Sequence, residues 1–282
     1  MRIIEINSMP VGSTGKIMFD IGAYAKKKGH EVLFCYPEFD AKINLEYAKQ
    51  TYIIGNNVET FIAHLWGRVT GYNDTLSYCA TKKLIKKILD FKPDIIHIHN
   101  LHNCYLNMDI LWRFFADINI PVVWTLHDCW SFTGGCAYFE RKNCYKWVEG
   151  KCDNCEMLTT YPKSYIDRTN RVYQKKKDLF TKKKELYLIT PSGWLKEYVK
   201  KSFLSTKEIY VINNGVNQEI FRNTPNDIKI QLGIQDKIML LGVASVFEER
   251  KGIDDFITLG NILPNQYQLV LIGRMPDEIK KQ

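Results

Sequence analysis

Four of the six histidines fall at the ends of two short apolar runs. His97, His99 and His102 lie in the stretch PDIIHIHNLHN, and His127 lies in TLHDCW, where Asp128 follows it. Imidazole binds substrate hydroxyls and moves protons, and together with a carboxylate it also binds zinc. By strand alternation His97 and His99 share one face, so at least one of them is expected to be structural. His127 is the candidate functional residue, and a zinc hydrolase would require the histidines to converge with a carboxylate.

A glycine-containing turn follows the first apolar run, in MPVGSTGKIMF at 9–19. It is not a P-loop, which needs GxxxxGK followed by a serine or threonine hydroxyl for magnesium. Here Gly12 and Gly15 are too close together, and Ile17 stands where the hydroxyl is needed. Two interpretations remain: a turn that needs glycine for its backbone, or amides at a helix N-terminus that bind an anion.

Four of the eight cysteines follow a C-x7-C-x7-C-x2-C pattern, at Cys136, Cys144, Cys152 and Cys155. The closing C-x2-C suits tetrahedral zinc, and a reducing compartment favours metal over disulfides. The first two spacings are wider than in common zinc modules, so disulfides or plain thiols stay as alternatives. The aromatic residues around these cysteines either stack on a bound sugar or pack the insertion onto the core.

The elements that must position these residues alternate between strands and helices. Near-continuous apolar, β-branched strands indicate a parallel sheet covered on both faces, in an α/β fold. Ligands bind such sheets outside the carboxyl ends of the strands, which is where His127 and the glycine turn lie. The predicted strands are 2–7, 31–36, 94–99, 121–127, 186–190 and 209–213, and the predicted helices are 15–28, 58–68, 78–91, 107–118, 164–184 and 193–203.

A second strand–helix series begins after a polar stretch at 222–227. Three elements cannot close a sheet or cover a core, so this second domain is expected to be incomplete. The sequence predicts a first domain over 1–222, with a cysteine-rich insertion at about 129–158, and the start of a second domain over 223–282. The second series comprises a strand at 237–245, a helix at 252–263 and a strand at 268–273.

The composition is that of a globular protein, with 45% hydrophobic and 25% charged residues. The N-terminus has no secretory signal and no apolar run reaches membrane-spanning length, so we expect a cytoplasmic protein with reduced cysteines. The net charge of +8 is concentrated in lysine runs at 81–87 and 174–186. These runs form solvated helix faces, or they contact an anionic membrane or a polyanionic ligand. They lack a base-reading motif, so no nucleic-acid partner is expected.

Six stretches taken in order resemble retaining glycosyltransferases of GT-B architecture, in glycosyltransferase family four, close to bacterial enzymes of capsule and exopolysaccharide assembly. They are the glycine turn, KPDIIHIHN (92–100), VVWTLHD (122–128), ITPSGWL (189–195), VINNGVNQEIF (211–221) and VASVFEERKGIDDFI (243–257). The resemblance covers the whole chain from Met1. It implies two Rossmann-like domains, the first for the acceptor and the second for a nucleotide-sugar.

The resemblance also implies roles for individual residues. Gly12 and Gly15 would contact the donor diphosphate through backbone amides, without magnesium, and His127 would lie near the transferred sugar. Fixed cations stabilise the charge that develops on a departing nucleoside diphosphate. Arg250 and Lys251 would supply those cations, with Asp128, Asn214 and Gly215 lining the cleft. The cysteine-rich insertion is expected to shape the acceptor side.

Two departures from the family pattern stand out. Family members usually carry an arginine six residues before Lys251, where this chain has Ser245. Their donor domain also continues for about a hundred further residues, as ordinary domain sizes would suggest. That continuation should include a pair of glutamates that grip the sugar and ribose. We therefore expect weak donor binding and doubtful turnover by residues 1–282 alone.

The sequence thus predicts a sugar transferase that uses a nucleotide-sugar donor and a saccharide or lipid-linked acceptor, in surface polysaccharide synthesis. No cofactor is expected for catalysis, and a structural zinc is one of the alternatives for the cysteine-rich insertion, beside disulfides and plain thiols. A lipid-linked acceptor would bring the basic helices to an anionic membrane as a peripheral contact. The alternatives are a nucleotide- or sugar-binding module without turnover and a zinc-dependent hydrolase built on the histidines.

Overall fold

A computed structural model of the chain describes residues 1–38 and 50–275. The chain divides into two compact units, Met1–Gly215 and Val216–Gln282, each with its own sheet. The predicted boundary after residue 222 lies inside the second of these units. Residues 276–282 of the predicted second domain lie outside the described residues.

The first unit is built on a parallel sheet of seven strands, which confirms the predicted Rossmann-like α/β class. Every pairing between neighbouring strands is parallel. The strands are β1 (Arg2–Ile6), β2 (Glu31–Pro37), β3 (Thr51–Ile54), β4 (Ile95–Ile98), β5 (Val122–Thr125), β6 (Leu186–Thr190) and β7 (Glu208–Val211), and their order across the sheet is β3–β2–β1–β4–β5–β6–β7.

Six helices connect these strands, and all six occur where the sequence predicts a helix. They are α1 (Gly12–Lys27), α2 (Asn57–Thr70), α3 (Tyr78–Phe91), α4 (Met108–Asp117), α5 (Thr169–Lys182) and α6 (Gly193–Lys200). Two starts differ from the prediction by more than one residue. Helix α1 begins at Gly12 instead of residue 15, so Gly15 lies within its first turn. Helix α5 begins at Thr169 instead of residue 164, because Asp167 accepts hydrogen bonds from the Thr169 amide and hydroxyl just before the helix.

The cysteine-rich insertion follows β5 and contains only short 3-10 turns, at Trp130–Phe132, Phe139–Lys142 and Lys146–Glu149. It is held down by its aromatic residues. Trp130, Phe132, Phe139 and Trp147 are all buried in the main core. Burial of an aromatic side chain stabilises by about 1.5–3 kcal/mol, so these four rings anchor the insertion and are not available to a sugar.

The second lysine run is only partly solvated, contrary to the sequence prediction. Lys176 of α5 is buried, and its ammonium group donates to the carbonyl oxygens of Trp130 (2.7 Å) and Thr133 (3.3 Å). The same group lies 3.5 Å from the centroid of the Trp130 ring. Burial lowers the pKa of Lys176 to about 7. Lys183, just after α5, is likewise buried and donates to the Ile118 carbonyl. These lysines fasten the insertion and α4 to α5.

The second unit is a single strand–helix–strand arrangement. Helix α7 (Ile228–Gln231) precedes strand β8 (Ile238–Val246), helix α8 (Ile253–Ile262) and strand β9 (Tyr267–Arg274). Strands β8 and β9 pair in parallel as a two-stranded sheet. A 3-10 turn over Glu249–Lys251 leads into α8.

No helix within residues 1–38 and 50–275 is both long enough and apolar enough to cross a bilayer.

Candidate functional site

The candidate site lies at the carboxyl ends of β1, β4 and β5, which are neighbours in the sheet. Asn7 follows β1, His99 follows β4, and His127 follows β5 by two residues. This is the edge at which doubly wound sheets bind ligands. The structure therefore brings together the glycine turn, the first histidine stretch and His127.

A buried cluster of one carboxylate and two imidazoles organises this edge. Glu5 of β1 is 1% exposed, His97 is 7% exposed and His99 is fully buried. Glu5 Oε2 lies 3.0 Å from both His97 Nδ1 and His99 Nε2. The far nitrogen of His97 bonds to the Thr125 hydroxyl at 2.8 Å. Both predicted strand histidines are thus structural partners of a carboxylate that the sequence analysis did not single out.

His127 is the end of this hydrogen-bond chain. His99 Nδ1 lies 2.9 Å from His127 Nε2, and the two rings are stacked at 11° with centroids 5.2 Å apart. Burial would raise the pKa of Glu5, but the charges and hydrogen bonds of His97 and His99 outweigh it and lower that pKa. Glu5 is therefore an ionised acceptor, and His99 Nε2–H donates to it. His99 Nδ1 then accepts from His127 Nε2–H, so His127 presents an unprotonated Nδ1.

The electrostatics of the cluster keep His127 neutral. Burial, with a contribution from His99, lowers the pKa of His127 to about 3. Burial also lowers the pKa of His99. At neutral pH His127 is consequently a hydrogen-bond acceptor at Nδ1, not a proton donor.

A second chain of polar groups lines the same small recess as His127. His102 Nε2–H donates to Asp128 Oδ2 at 3.0 Å, and the Tyr161 hydroxyl donates to His102 Nδ1 at 2.7 Å. The Trp130 amide donates to the other oxygen of Asp128 at 2.8 Å. Burial would raise the pKa of Asp128, but His102 and the Trp130 amide outweigh it and lower that pKa. Asp128 is therefore ionised and oriented.

The glycine turn is the first turn of α1, in which Gly12 and Ser13 are exposed and Gly15 is buried. Gly12 has φ +72°, which favours glycine, and Gly15 is so close to the Pro10 carbonyl that a Cβ would overlap it. Val11 caps the helix without a side-chain hydrogen bond. Exposed N–H groups at the positive end of a helix bind anions well. Both predicted glycines thus have a local structural reason to be glycine, and the anion interpretation stays a prediction.

Asn7 joins this turn to the histidine stretch, and the sequence analysis did not identify it. It is buried, and its amide nitrogen donates to the Met9 carbonyl (3.0 Å) and the Thr14 hydroxyl (3.3 Å). Its Oδ1 accepts from the Ser8 and Asn100 amides. One buried side chain therefore fixes the first turn of α1 against the segment that carries His99.

The other predicted site residues lie elsewhere in the chain. Asn214 and Gly215 are the exposed last residues of the first unit. Arg250 and Lys251 belong to the 3-10 turn of the second unit, where Glu248 contacts the Arg250 guanidinium at 3.0–3.1 Å. A role for these four residues stays a prediction.

The Glu5, His97 and His99 cluster bears on the hydrolase alternative. In residues 1–38 and 50–275 it is the one group of at least three histidine, cysteine, aspartate or glutamate side chains whose possible metal-ligand atoms all lie within 4.8 Å of one another. A catalytic zinc needs an open coordination position. Here all three side chains are buried, and both imidazoles lie at hydrogen-bond distance from the Glu5 carboxylate. The geometry favours a structural hydrogen-bond cluster over a hydrolytic metal centre.

The four cysteines of the C-x7-C-x7-C-x2-C pattern are free thiols. Burial raises the pKa of Cys136 to about 12, and Cys152 and Cys155 add to the rise. Burial raises the pKa of Cys152 to about 11, with contributions from Cys144 and Cys155. Among the described residues no three thiols meet the 4.8 Å spacing, so a metal would have to draw them together. Zinc binding stays a prediction.

We expect the purified chain to bind about one zinc ion, with the Cys152→Ser and Cys155→Ser variants losing it. Metal content by elemental analysis, together with the melting temperature before and after chelation, measures this. Cys79→Ser is the matched control, because Cys79 is exposed and lies outside the insertion. Zinc that is absent from the wild type after refolding with the metal, or retained by both variants, would contradict the prediction.

Comparisons with known proteins identify the family of the chain. The model of the family described as Glycosyltransferase Family 4 matches residues 14–220. The chain is 33% identical over 132 residues to the putative colanic acid biosynthesis glycosyl transferase WcaC of Escherichia coli (strain K12). The aligned region covers 44% of this chain and 32% of that protein. It therefore spans about a third of that curated relative.

Solved structures are similar over nearly the whole chain. Sucrose-phosphate synthase from Thermosynechococcus elongatus has a TM-score of 0.56 at 16% identity, covering 98% of this chain and 63% of that one. Anabaena Alr3699/HepE, solved in complex with UDP and glucose, has a TM-score of 0.54 at 13% identity, covering 100% of this chain and 63% of that one. At these identities the likeness shows the fold, and the chain spans about two thirds of each structure.

Proposed function

The chain belongs to glycosyltransferase family four, and on that premise we propose that it transfers a sugar from a nucleotide-sugar donor to a saccharide or lipid-linked acceptor. We further propose retention of the anomeric configuration and a role in surface polysaccharide synthesis. The observation that carries the proposal is the meeting of the uncapped first turn of α1 and the oriented His127 at one edge of the sheet. The family match over residues 14–220 includes His127 and all of α1 except Gly12 and Ser13.

Each part of this edge has a task in the proposed reaction. The amides of the first α1 turn bind the donor diphosphate, as helix N-termini bind phosphates. His127 Nδ1 accepts a hydrogen bond from a sugar hydroxyl. This hydrogen bond orients the sugar, and His127 transfers no proton in the reaction. Asp128 lines the same recess and orients the acceptor, and His102 holds the Asp128 carboxylate in place.

In the transfer step the bond between the anomeric carbon and the diphosphate oxygen breaks, and a bond from the acceptor oxygen to that carbon forms. The acceptor hydroxyl proton passes to the departing diphosphate. The leaving group carries the new negative charge, so fixed cations and dipoles lower the barrier most. We assign Arg250 and Lys251 to this task. The Arg250 charge is partly offset by Glu248, so Lys251 is expected to contribute more.

Turnover of nucleotide-sugars tests the proposal. We expect nucleoside diphosphate release from at least one of a panel of UDP- and GDP-sugars in the presence of saccharide acceptors, by residues 1–282 or by a product that continues beyond Gln282. Proton NMR of the product gives the anomeric configuration. Binding without turnover in either protein would favour the binding-module alternative. Inversion would overturn the proposed stereochemistry, and turnover abolished by chelation and restored by zinc would favour the hydrolase.

A further inference from the structure

Helix α2 (Asn57–Thr70) is a well-formed helix with an unusual distribution of apolar residues. The Asn56 side chain caps its N-terminus by accepting from the Glu59 amide at 2.9 Å, and Gly71 closes its C-terminus in the left-handed conformation. Its large apolar side chains are nevertheless exposed. Val58 is 68% exposed, Phe61 69%, Ile62 53%, Leu65 52%, Trp66 46% and Val69 53%. We call these six residues the α2 stripe.

The α2 stripe follows helical spacing and faces away from the protein. Its members recur at intervals of three and four residues, which places them on one side of a helix. The buried residues of α2 are the small Ala63 and Gly67. A Cβ at Gly67 would overlap the Asn73 side chain, so this side of the helix lies tightly against the protein. An amphipathic helix normally buries its apolar face, whereas α2 presents it to solvent. Exposed apolar patches of this kind mark interaction sites.

Basic and aromatic groups flank both ends of the α2 stripe. At the C-terminal end Arg68 is exposed, and its carbonyl accepts from the Tyr165 amide at 2.8 Å. Lys163 lies 5.3 Å from the ring of Tyr165, which is 66% exposed. At the N-terminal end Gly55 packs against Ala80 of α3, close to the first lysine run of the sequence.

That run supplies the cations at the N-terminal end. Lys82 and Lys83 are exposed in the second turn of α3, and the Lys82 ammonium lies 4.4 Å from the ring of exposed Tyr78. Apolar side chains between tyrosine, tryptophan and basic residues are typical of helices that lie in a membrane interface. The acidic residue of α2, Glu59, is half-buried and turned toward Gly55, away from the stripe.

We propose that α2 docks the protein on an anionic lipid surface, with the α2 stripe inserted between headgroups and the flanking basic residues on anionic lipids. The net charge of +8 favours this partner over a second copy of the chain, because two copies repel each other and an anionic bilayer attracts both. The proposal extends the expected membrane contact from lysine runs to a defined apolar helix. It does not require glycosyl transfer, since binding to lipid is measured without donor or acceptor.

Vesicle flotation of the full chain tests this docking. We expect binding to phosphatidylcholine vesicles that contain phosphatidylglycerol and weaker binding to phosphatidylcholine alone. The Phe61→Glu/Leu65→Glu double variant should lower the partition coefficient by at least about tenfold, since a change of about 1.4 kcal/mol already has that effect. Both side chains are more than half exposed, so the variant should keep the wild-type melting temperature.

The matched control is Tyr24→Glu/Leu89→Glu, which adds the same charge at two exposed apolar positions on α1 and α3. Its partition coefficient should stay within about twofold of wild type, as for ordinary surface substitutions. Wild type that fails to float with anionic vesicles at low salt would overturn the proposal, as would equal binding by the two double variants. So would a wild-type dimer in sedimentation equilibrium that the Phe61→Glu/Leu65→Glu variant dissociates, because a second copy would then cover the stripe.

Discussion

Replacing Glu5 by alanine is expected to lower the free energy of unfolding of the first unit by about 3–5 kcal/mol, the cost of removing one partner from a buried polar pair. The carboxylate accepts from His97 Nδ1 and His99 Nε2, both within 3.0 Å of the same oxygen. Its loss leaves two buried donors without an acceptor and opens a cavity beneath them. Urea unfolding followed by tryptophan fluorescence measures the effect.

The positions of the tryptophans and the shape of the Glu5 side chain make this effect measurable. All six tryptophans lie in the first unit, so their fluorescence reports that unit without interference from the second. Glu5→Gln is the matched control, because it keeps the shape of the side chain and one oxygen that accepts from both imidazoles. We expect it to cost about 1–2 kcal/mol, for the lost charge and for the amide NH2 group that replaces the oxygen 3.1 Å from His97 Nδ1. Unfolding of Glu5→Ala indistinguishable from wild type would show that the carboxylate does not hold the cluster together.

Replacing His127 by alanine is expected to lower kcat/KM for sugar transfer by about 100-fold, the usual cost of one oriented polar group at a reacting centre. His99→Phe should cause a loss of similar size, because it keeps a ring beneath His127 but removes the acceptor that fixes its tautomer. The pKa of His127 is lowered to about 3, so the rate of wild type should show no transition from this residue between pH 5 and 8.

Thr125→Val is the matched control for both histidine variants. It removes the hydrogen bond to His97 on the other branch of the cluster and leaves the Glu5–His99–His127 chain intact. Its kcat/KM should stay within about threefold of wild type, as for substitutions outside the reacting centre. A Thr125→Val loss as large as that of His127→Ala would mean that the cluster acts through stability alone.

The fold was largely predictable because buried parallel strands leave a strong trace in a sequence. Strand β6 and helix α3 have the predicted bounds, since continuous apolar residues and a clear amphipathic period define them. Strand β3 was missed because its apolar run, at 52–54, has only three residues. The burial of Lys176 could not be predicted, because lysines in such a run are normally exposed. It is explained by the Trp130 and Thr133 carbonyls, which accept hydrogen bonds from the ammonium group.

The candidate site was predictable only in part. His127 and Asp128 stood out because they close an apolar strand at the ligand edge. Glu5 was missed, although a lone acid inside an apolar strand is a signal of a buried partner. Its partners are 92 and 94 residues away in sequence, and only the order of β1 and β4 in the sheet brings them together. The apolar face of α2 likewise has the sequence pattern of a helix that packs against the core. Only the exposure of these side chains in the structure shows that this face does not.

The central claim is that a nucleotide-sugar binds where α1 begins, beside His127. The most direct measurement is an NMR titration of isotope-labelled protein with a panel of UDP- and GDP-linked hexoses. Its signals are the backbone amides of residues 12–15 and the His127 ring nitrogens. At least one donor is expected to shift both sets of signals, and the His127 Nδ1 signal should move as this nitrogen accepts a hydrogen bond. A donor that binds while these amides and this ring stay unchanged would contradict it.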